Sequence, residues 1–154
     1  MTRFAADTEV SVAKSRAEIE RLIIRYGATS TAFMNAADQA IIVFEANGRR
    51  IVFKLPLPDK NSDTFTYDGR KSVRSPERRF AAWEQACRQR WRALALVIKA
   101  KLEAVESGIT SFEDEFLAHI MMPDGKTVAD HVRPKIAIAY EQGNMTPLLP
   151  GPSN

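Results

Sequence analysis

The chain has 154 residues with a net charge of +3, 45% apolar and 27% charged side chains, which bounds it to one domain able to bury a core. No apolar run approaches the ~20 residues that span a bilayer, and the first residues carry no signal-peptide pattern, so a membrane partner is not expected and the cytoplasm is the expected location. The lone cysteine, Cys87, excludes an internal disulfide framework and agrees with a reducing compartment.

Residues 1–14 read as an N-terminal arm, with EVSV as a short strand. Ser15 and Glu18 form a capping-box pattern. Ile19, Leu22, Ile23 and Tyr26 then give an amphipathic helix closed by Gly27, whose outer face carries Arg16, Arg21 and Arg25.

From residue 29 the period changes to two, predicting strands at 29–35, 39–46 and 49–55. Asn47-Gly48 is the strongest short hairpin signal available and sets the register, with Ala46 opposite Arg49, Glu45 opposite Arg50 and Ile42 opposite Phe53. Ile42, Phe44, Ile51, Phe53 and Leu55 then share the face that meets helices, and the other face is partly wet. Arg49 and Arg50 are either solvated charges at the hairpin tip or ligand contacts.

Residues 56–74, PLPDKNSDTFTYDGRKSVR, read as a long surface loop, uncommon inside a compact domain unless it is functional or disordered. Phe65 and Tyr67 precede Arg70, Lys71 and Arg74. Aromatics interleaved with cations can stack on bases while the cations meet phosphates; otherwise the two rings are hydrophobic pegs.

The longest helix is predicted over 75–108, with Ser75 as cap and Pro76 at the first position. Its seam is Phe80, Trp83, Cys87, Trp91, Leu94, Ile98, Leu102 and Val105, and the run 93–98 is apolar nearly all round. Cys87 on that seam reads as a packed thiol. After Gly108, Thr110 with Glu113 and then Thr127 mark two further helix starts. Pro134 should kink or split the last helix, which Gly143 ends. Residues 144–154 form an extended tail whose Leu148 and Leu149 need a partner surface.

The charges are sharply segregated. Residues 1–69 carry nine of each sign, residues 70–101 ten cations against Glu77 and Glu84, and residues 102–130 seven acids against Lys126. Arg79, Arg90 and Lys101, spaced by eleven, lie on one flank of the long helix; Arg88, Arg92 and Lys99 lie on the other. Two cationic rims can contact a phosphate backbone, or they can pair with the acidic segment that follows. Metal and catalytic signatures are lacking: His119 and His131 fall on different helices, and there is no Walker A sequence, GxSxG, GxGxxG or CxxC.

The stretch RQRWRALALVIKAKLEAVESGITSFEDEFLAHIMMPDGKTVADHVRPKIAIAYEQGNMTPLLP, with SRAEIERLIIRYGA and the hairpin, resembles a family of small bacteriophage- and prophage-encoded proteins of uncharacterised function. The resemblance implies a phage setting, hence the host cytoplasm, and transfers no functional residue.

Together these readings predict a single α+β domain: an N-terminal helix, a three-stranded antiparallel meander, a long central helix and two or three shorter C-terminal helices. The expected function is non-enzymatic, without cofactor or metal. It is binding of nucleic acid, single-stranded or duplex, or of a phosphorylated nucleotide, through Arg70, Lys71, Arg74, Arg78, Arg79, Arg88 and Arg92, helped by Arg49, Arg50, Phe65 and Tyr67. The alternative is a protein–protein inhibitor or adaptor of a host defence system, using the acidic surface around Glu113, Asp114 and Glu115. Trp91 and the tail leucines point to a homo-oligomer.

Overall fold

A computed structural model of the chain describes residues 5–152. The chain folds in the order α1 (Val12–Arg25), β1 (Ser30–Asn35), β2 (Gln39–Ala46), β3 (Arg49–Pro56), α2 (Asp63–Thr66), α3 (Pro76–Glu106), α4 (Phe112–Phe116), a 3-10 turn (Leu117–His119) and α5 (Val128–Gln142). This is the expected α+β arrangement, with the strands in the antiparallel order β1-β2-β3.

The hairpin register is the one Asn47-Gly48 dictates. Both turn residues have positive φ, 52° and 70°, as a two-residue turn matched to strand twist requires. Ala46 faces Arg49, Glu45 faces Arg50 and Ile42 faces Phe53. Alternation then buries Ile42, Phe44, Ile51, Phe53 and Leu55 together. α1 and α3 lie against this face, bringing Ile19, Ile23, Trp91, Leu94, Ala95, Ile98 and Leu102 into one cluster with Phe116 and Ile120. On the other face Glu45 and Arg50 pair across the strands at 2.7 Å, but Val52 is buried as well, because the segment after α4 folds against this edge. There Ile120 bridges Ile51, and the Met121 amide donates to the Arg50 carbonyl at 2.8 Å. A β edge that would otherwise present unpaired backbone is thereby covered.

Several local expectations are corrected. α1 starts a turn early, with Ser11 accepting from the Lys14 amide, so residues 12–14 are helix and no strand forms at EVSV. Ser15 is instead a fully buried helical residue whose hydroxyl has no hydrogen-bond partner. Both serines satisfy the local capping rule, and the choice is tertiary: starting at Ser11 brings Val12 against the core. Residues 1–4 of the predicted arm lie outside the described residues. Arg16 is not on an open face, since its guanidinium lies over Phe33 and Trp91, 5.3 and 5.5 Å from the ring centroids. α4 is capped by Ser111, which accepts from the Asp114 amide, rather than by Thr110. α5 runs unbroken through Pro134, held at one end by the capping box of Thr127 and Asp130 and at the other by left-handed Gly143.

The long helix is the expected one, capped by Ser75 with Pro76 in its first turn. Its 93–98 run is not buried all round: Leu94, Ala95 and Ile98 are inside while Val97 is exposed. Trp91 is only 3% exposed. It is satisfied within one chain, so it gives no ground for an oligomer. Leu148 and Leu149 are half-covered in a tail without helix or strand. No helix among the described residues is long and apolar enough to cross a membrane.

Candidate nucleic-acid interface

The segment 57–74 is built rather than loose. Ser62 caps the single turn of α2, Tyr67 bridges Val73, and the Asp68 carboxylate accepts from the amides of Arg70 and Ser72 at 2.8 and 2.9 Å. Those two bonds hold the Asp68 carboxyl below the usual carboxylate range. Phe65 is a peg, 7% exposed, and is unavailable for stacking on a ligand; Tyr67 keeps an exposed ring. Arg74 is drawn inward too, donating to the carbonyls of Thr64 and Phe65 at 3.1 and 3.3 Å.

The structure sorts the remaining cations along α3. Towards its middle and end Arg88, Arg92 and Lys101 have internal work, whereas Arg90 and Lys99 are exposed and, among the described residues, in no ion pair. Arg92 pairs with Glu18 of α1. Arg88 donates twice to Gln85, whose amide in turn holds the carbonyls of Ala6 and Thr8, so this arginine fastens the N-terminal segment. Lys101 pairs with Glu115 at 3.1 Å. At the hairpin tip Arg49 meets Glu113 at 3.3 Å and Arg50 meets Glu45. Near the start of α3 the picture reverses: among the described residues no ion pair engages Lys60, Arg70, Lys71, Arg78 or Arg79. Among the described residues only the Lys101–Glu115 pair joins the 70–101 segment to the acidic 102–130 segment. Wholesale neutralisation of the basic helix by the acidic segment does not occur.

Residues 57–80 hold six cations and four acids; two of the acids accept from backbone amides, and Asp68 is also near enough to Arg74 and Arg78 to feel their charge. Asp59 accepts from the Asn61 amide, Asp68 is used as described, and Asp63 and Glu77 sit in the first turns of α2 and α3, where a helix N-terminus favours them.

Three residues missing from the expected set, Lys60, Phe80 and Trp83, complete the site. Trp83 donates its indole N–H to the Pro58 carbonyl at 2.9 Å, tying the loop to α3. The Lys60 ammonium lies 4.4 Å from the centre of the same ring. One turn earlier Phe80 stands 5.6 Å from Trp83, tilted by 38°, and is 52% exposed. Lys60, Asn61, Pro76, Arg79, Phe80 and Trp83 enclose a cleft of about 260 Å³. A length argument would have found it: α3 has 31 residues, about 46 Å, against about 27 Å for the eight-residue strands β2 and β3. The first turns of α3 extend beyond the length of the sheet, leaving Phe80 exposed and Trp83 to pack on the 57–62 loop.

Burial pushes the Cys87 thiol up, as does the neighbouring Glu84 carboxylate, the reverse of what a nucleophile needs. His131 is bound to Asp124 at 2.7 Å. His119 stacks on Phe53, with ring centroids 4.1 Å apart. Among the described residues no three His, Cys, Asp or Glu side chains converge to hold a metal ion. A wider cleft of about 520 Å³ at the hairpin tip is lined by Arg49 and Arg50, whose charges are already matched by acids.

A scan against protein-family models finds no matching family, and searches of curated proteins and of solved structures return no match either.

Proposed function

We propose that the chain is a non-enzymatic nucleic-acid-binding protein that engages a phosphate backbone with the basic pole formed by the 57–74 segment and the first turns of α3. One observation carries this reading: among the described residues Lys60, Arg70, Lys71, Arg78 and Arg79 stand together at one pole without ion-pair partners, while Arg88, Arg92 and Lys101 farther along α3 and the two arginines at the hairpin tip are engaged internally, leaving only exposed Arg90 and Lys99 unpaired on the rest of the helix. Phosphate contacts supply most sequence-independent affinity, and they need cations whose charge is still available. The phage setting rests on the sequence resemblance alone.

The pole supersedes part of the expected residue set. Arg88, Arg92 and Arg74 hold the fold, Phe65 is a core peg, and Arg49 and Arg50 lie at the other cleft. The alternative, a protein partner bound through the acidic face, has less to work with, because Glu113 and Glu115 are paired with Arg49 and Lys101. The test is fluorescence anisotropy of labelled oligonucleotides at low salt. Replacing Arg70, Lys71 and Arg78 together by glutamine should weaken binding at least tenfold, and replacing Arg49 and Arg50 should leave it unchanged. A wild-type protein that binds no oligonucleotide at low salt rules this function out.

A further inference from the structure

The cleft beside Phe80 is more specific than a phosphate-binding surface requires. Its four chemical elements are a solvent-facing ring, a fixed indole, and two cations. Phe80 begins the apolar seam of α3 yet is half in water, and among the described residues its one ring contact is Trp83. Trp83 cannot swing away, because its N–H is held by Pro58, and Lys60 lies over its ring. That leaves Phe80 as the open platform, buttressed by Trp83. Arg79 supplies the complementary chemistry: its side chain lines the cleft, and among the described residues it has no ion-pair partner. An anion brought into the cleft would meet this guanidinium with a charge-assisted bond.

Resting on the nucleic-acid reading above, we propose that this cleft is a one-nucleotide seat for single-stranded nucleic acid. An unpaired base stacks on Phe80, and its phosphate meets Arg79 and Lys60. Size argues for one unit of a strand. At about 260 Å³ the cleft falls below the ~300–1,000 Å³ of pockets that enclose a small ligand, and the exposed Arg78 beside it offers the next phosphate a contact. A duplex keeps its bases paired and stacked, so it has no free base face to give to Phe80. Stacking on an aromatic side chain is tolerant of base identity, so DNA and RNA strands should both bind.

Anisotropy with a twelve-residue oligothymidylate, the equivalent oligouridylate, an abasic strand of the same length, a matched duplex and thymidine monophosphate separates the possibilities. The single strands are expected to bind at least tenfold more tightly than the duplex. Phe80→Ala should lose about tenfold for the base-bearing strands only, Phe80→Trp should retain their affinity, and Arg79→Gln should weaken every single strand, abasic included. Because the Phe80 ring is half-exposed, Phe80→Ala should melt close to wild type, which circular dichroism verifies. Equal binding of abasic and base-bearing strands, with no response to Phe80→Ala, overturns the base seat while leaving the basic pole as a phosphate binder. Thymidine monophosphate binding as tightly as the strand overturns the strand assignment in favour of a free nucleotide. No binding of any probe removes this inference together with the function it rests on.

Discussion

Arg92 shows how a single side chain divides structural from functional charge. It reaches Glu18 on α1 with both side chains largely covered, 22% and 25% exposed, so the pair ties α1 to α3 where solvent screens it only in part. Surface pairs contribute about 0–1 kcal/mol, and breaking a buried pair costs about 3–5 kcal/mol. Arg92→Ala should fall between, at about 1–3 kcal/mol, and lower the melting temperature by several degrees without changing oligonucleotide affinity; a binding loss with an unchanged melt would return Arg92 to the site. His119 gives a second residue-scale prediction. Burial pushes its pKa below 6.5, as does nearby Lys101 to a smaller extent, against the hydrogen bond to the Val52 carbonyl, which raises it. The unfolded chain therefore binds the proton first. Stability from the neutral folded ring is fully present above about pH 6.5 and is lost as pH falls from there through the folded pKa. The lowered carboxylates Glu45, Asp68, Asp124 and Asp130 lose their contribution in a separate window, as pH falls below their ordinary values near 4. Thermal melts at pH 7.5 and 5.5 should show a larger drop for wild type than for His119→Gln; equal drops would show that His119 does not titrate there.

At the scale of elements, what was readable in the sequence was what local chemistry decides. Asn47-Gly48 set the hairpin register, Ser75 with Pro76 set the start of α3, and Thr127 with Gly143 set both ends of α5. Where two local solutions compete, as Ser11 and Ser15 do for α1, tertiary burial chooses, and the spacing of capping residues holds no record of it. Residues 56–74 hid α2 for a related reason: a single turn has no periodicity, and the anchor of Phe65 is a long-range contact. α5 shows the reverse imbalance, having good caps but no buried residue, with Ile136, Ile138 and Tyr140 exposed. Pro134 also removes the N–H that would bond the Asp130 carbonyl. The second half of α5 should therefore open locally far more often than α3, and its amides should exchange orders of magnitude faster. Pro134→Ala should slow that exchange at least tenfold, in line with the ~3 kcal/mol that an interior proline costs a helix, and leave the global melt nearly unchanged. Unaltered exchange in 135–142 would show that contacts with the rest of the fold, rather than the helix itself, set its stability.

For the whole molecule, the charge segregation along the chain was plain from composition, but its meaning was not, because pairing depends on which surfaces the fold brings together. The sequence offered two readings of the ten cations in 70–101: a phosphate track along the helix, or internal neutralisation by the acids that follow. The fold adopts neither throughout. α3 is long enough to serve the core with its middle and to project its start beyond the sheet, so among the described residues Arg78 and Arg79 near its start are left unpaired while Arg88 and Arg92 are engaged, with exposed Arg90 and Lys99 the unpaired exceptions farther along. That division predicts a number. If all ten cations released counterions, the logarithm of the affinity for a single strand would fall with the logarithm of salt concentration at a slope of about −7, at ~0.7 per phosphate contact. If only the pole's Lys60, Arg70, Lys71, Arg78 and Arg79 meet phosphate, the slope cannot exceed about −3.5 in magnitude, and added contacts from exposed Arg90 and Lys99 would bring it only to about −5. Local acids should bring it nearer −2 to −3. Replacing Arg78 by glutamine should reduce that slope by about 0.7, whereas Lys101→Gln should leave it unchanged, since Lys101 is held by Glu115. A slope near −7, or one that falls with Lys101→Gln, would place the track along the whole helix and contradict the division of its charges.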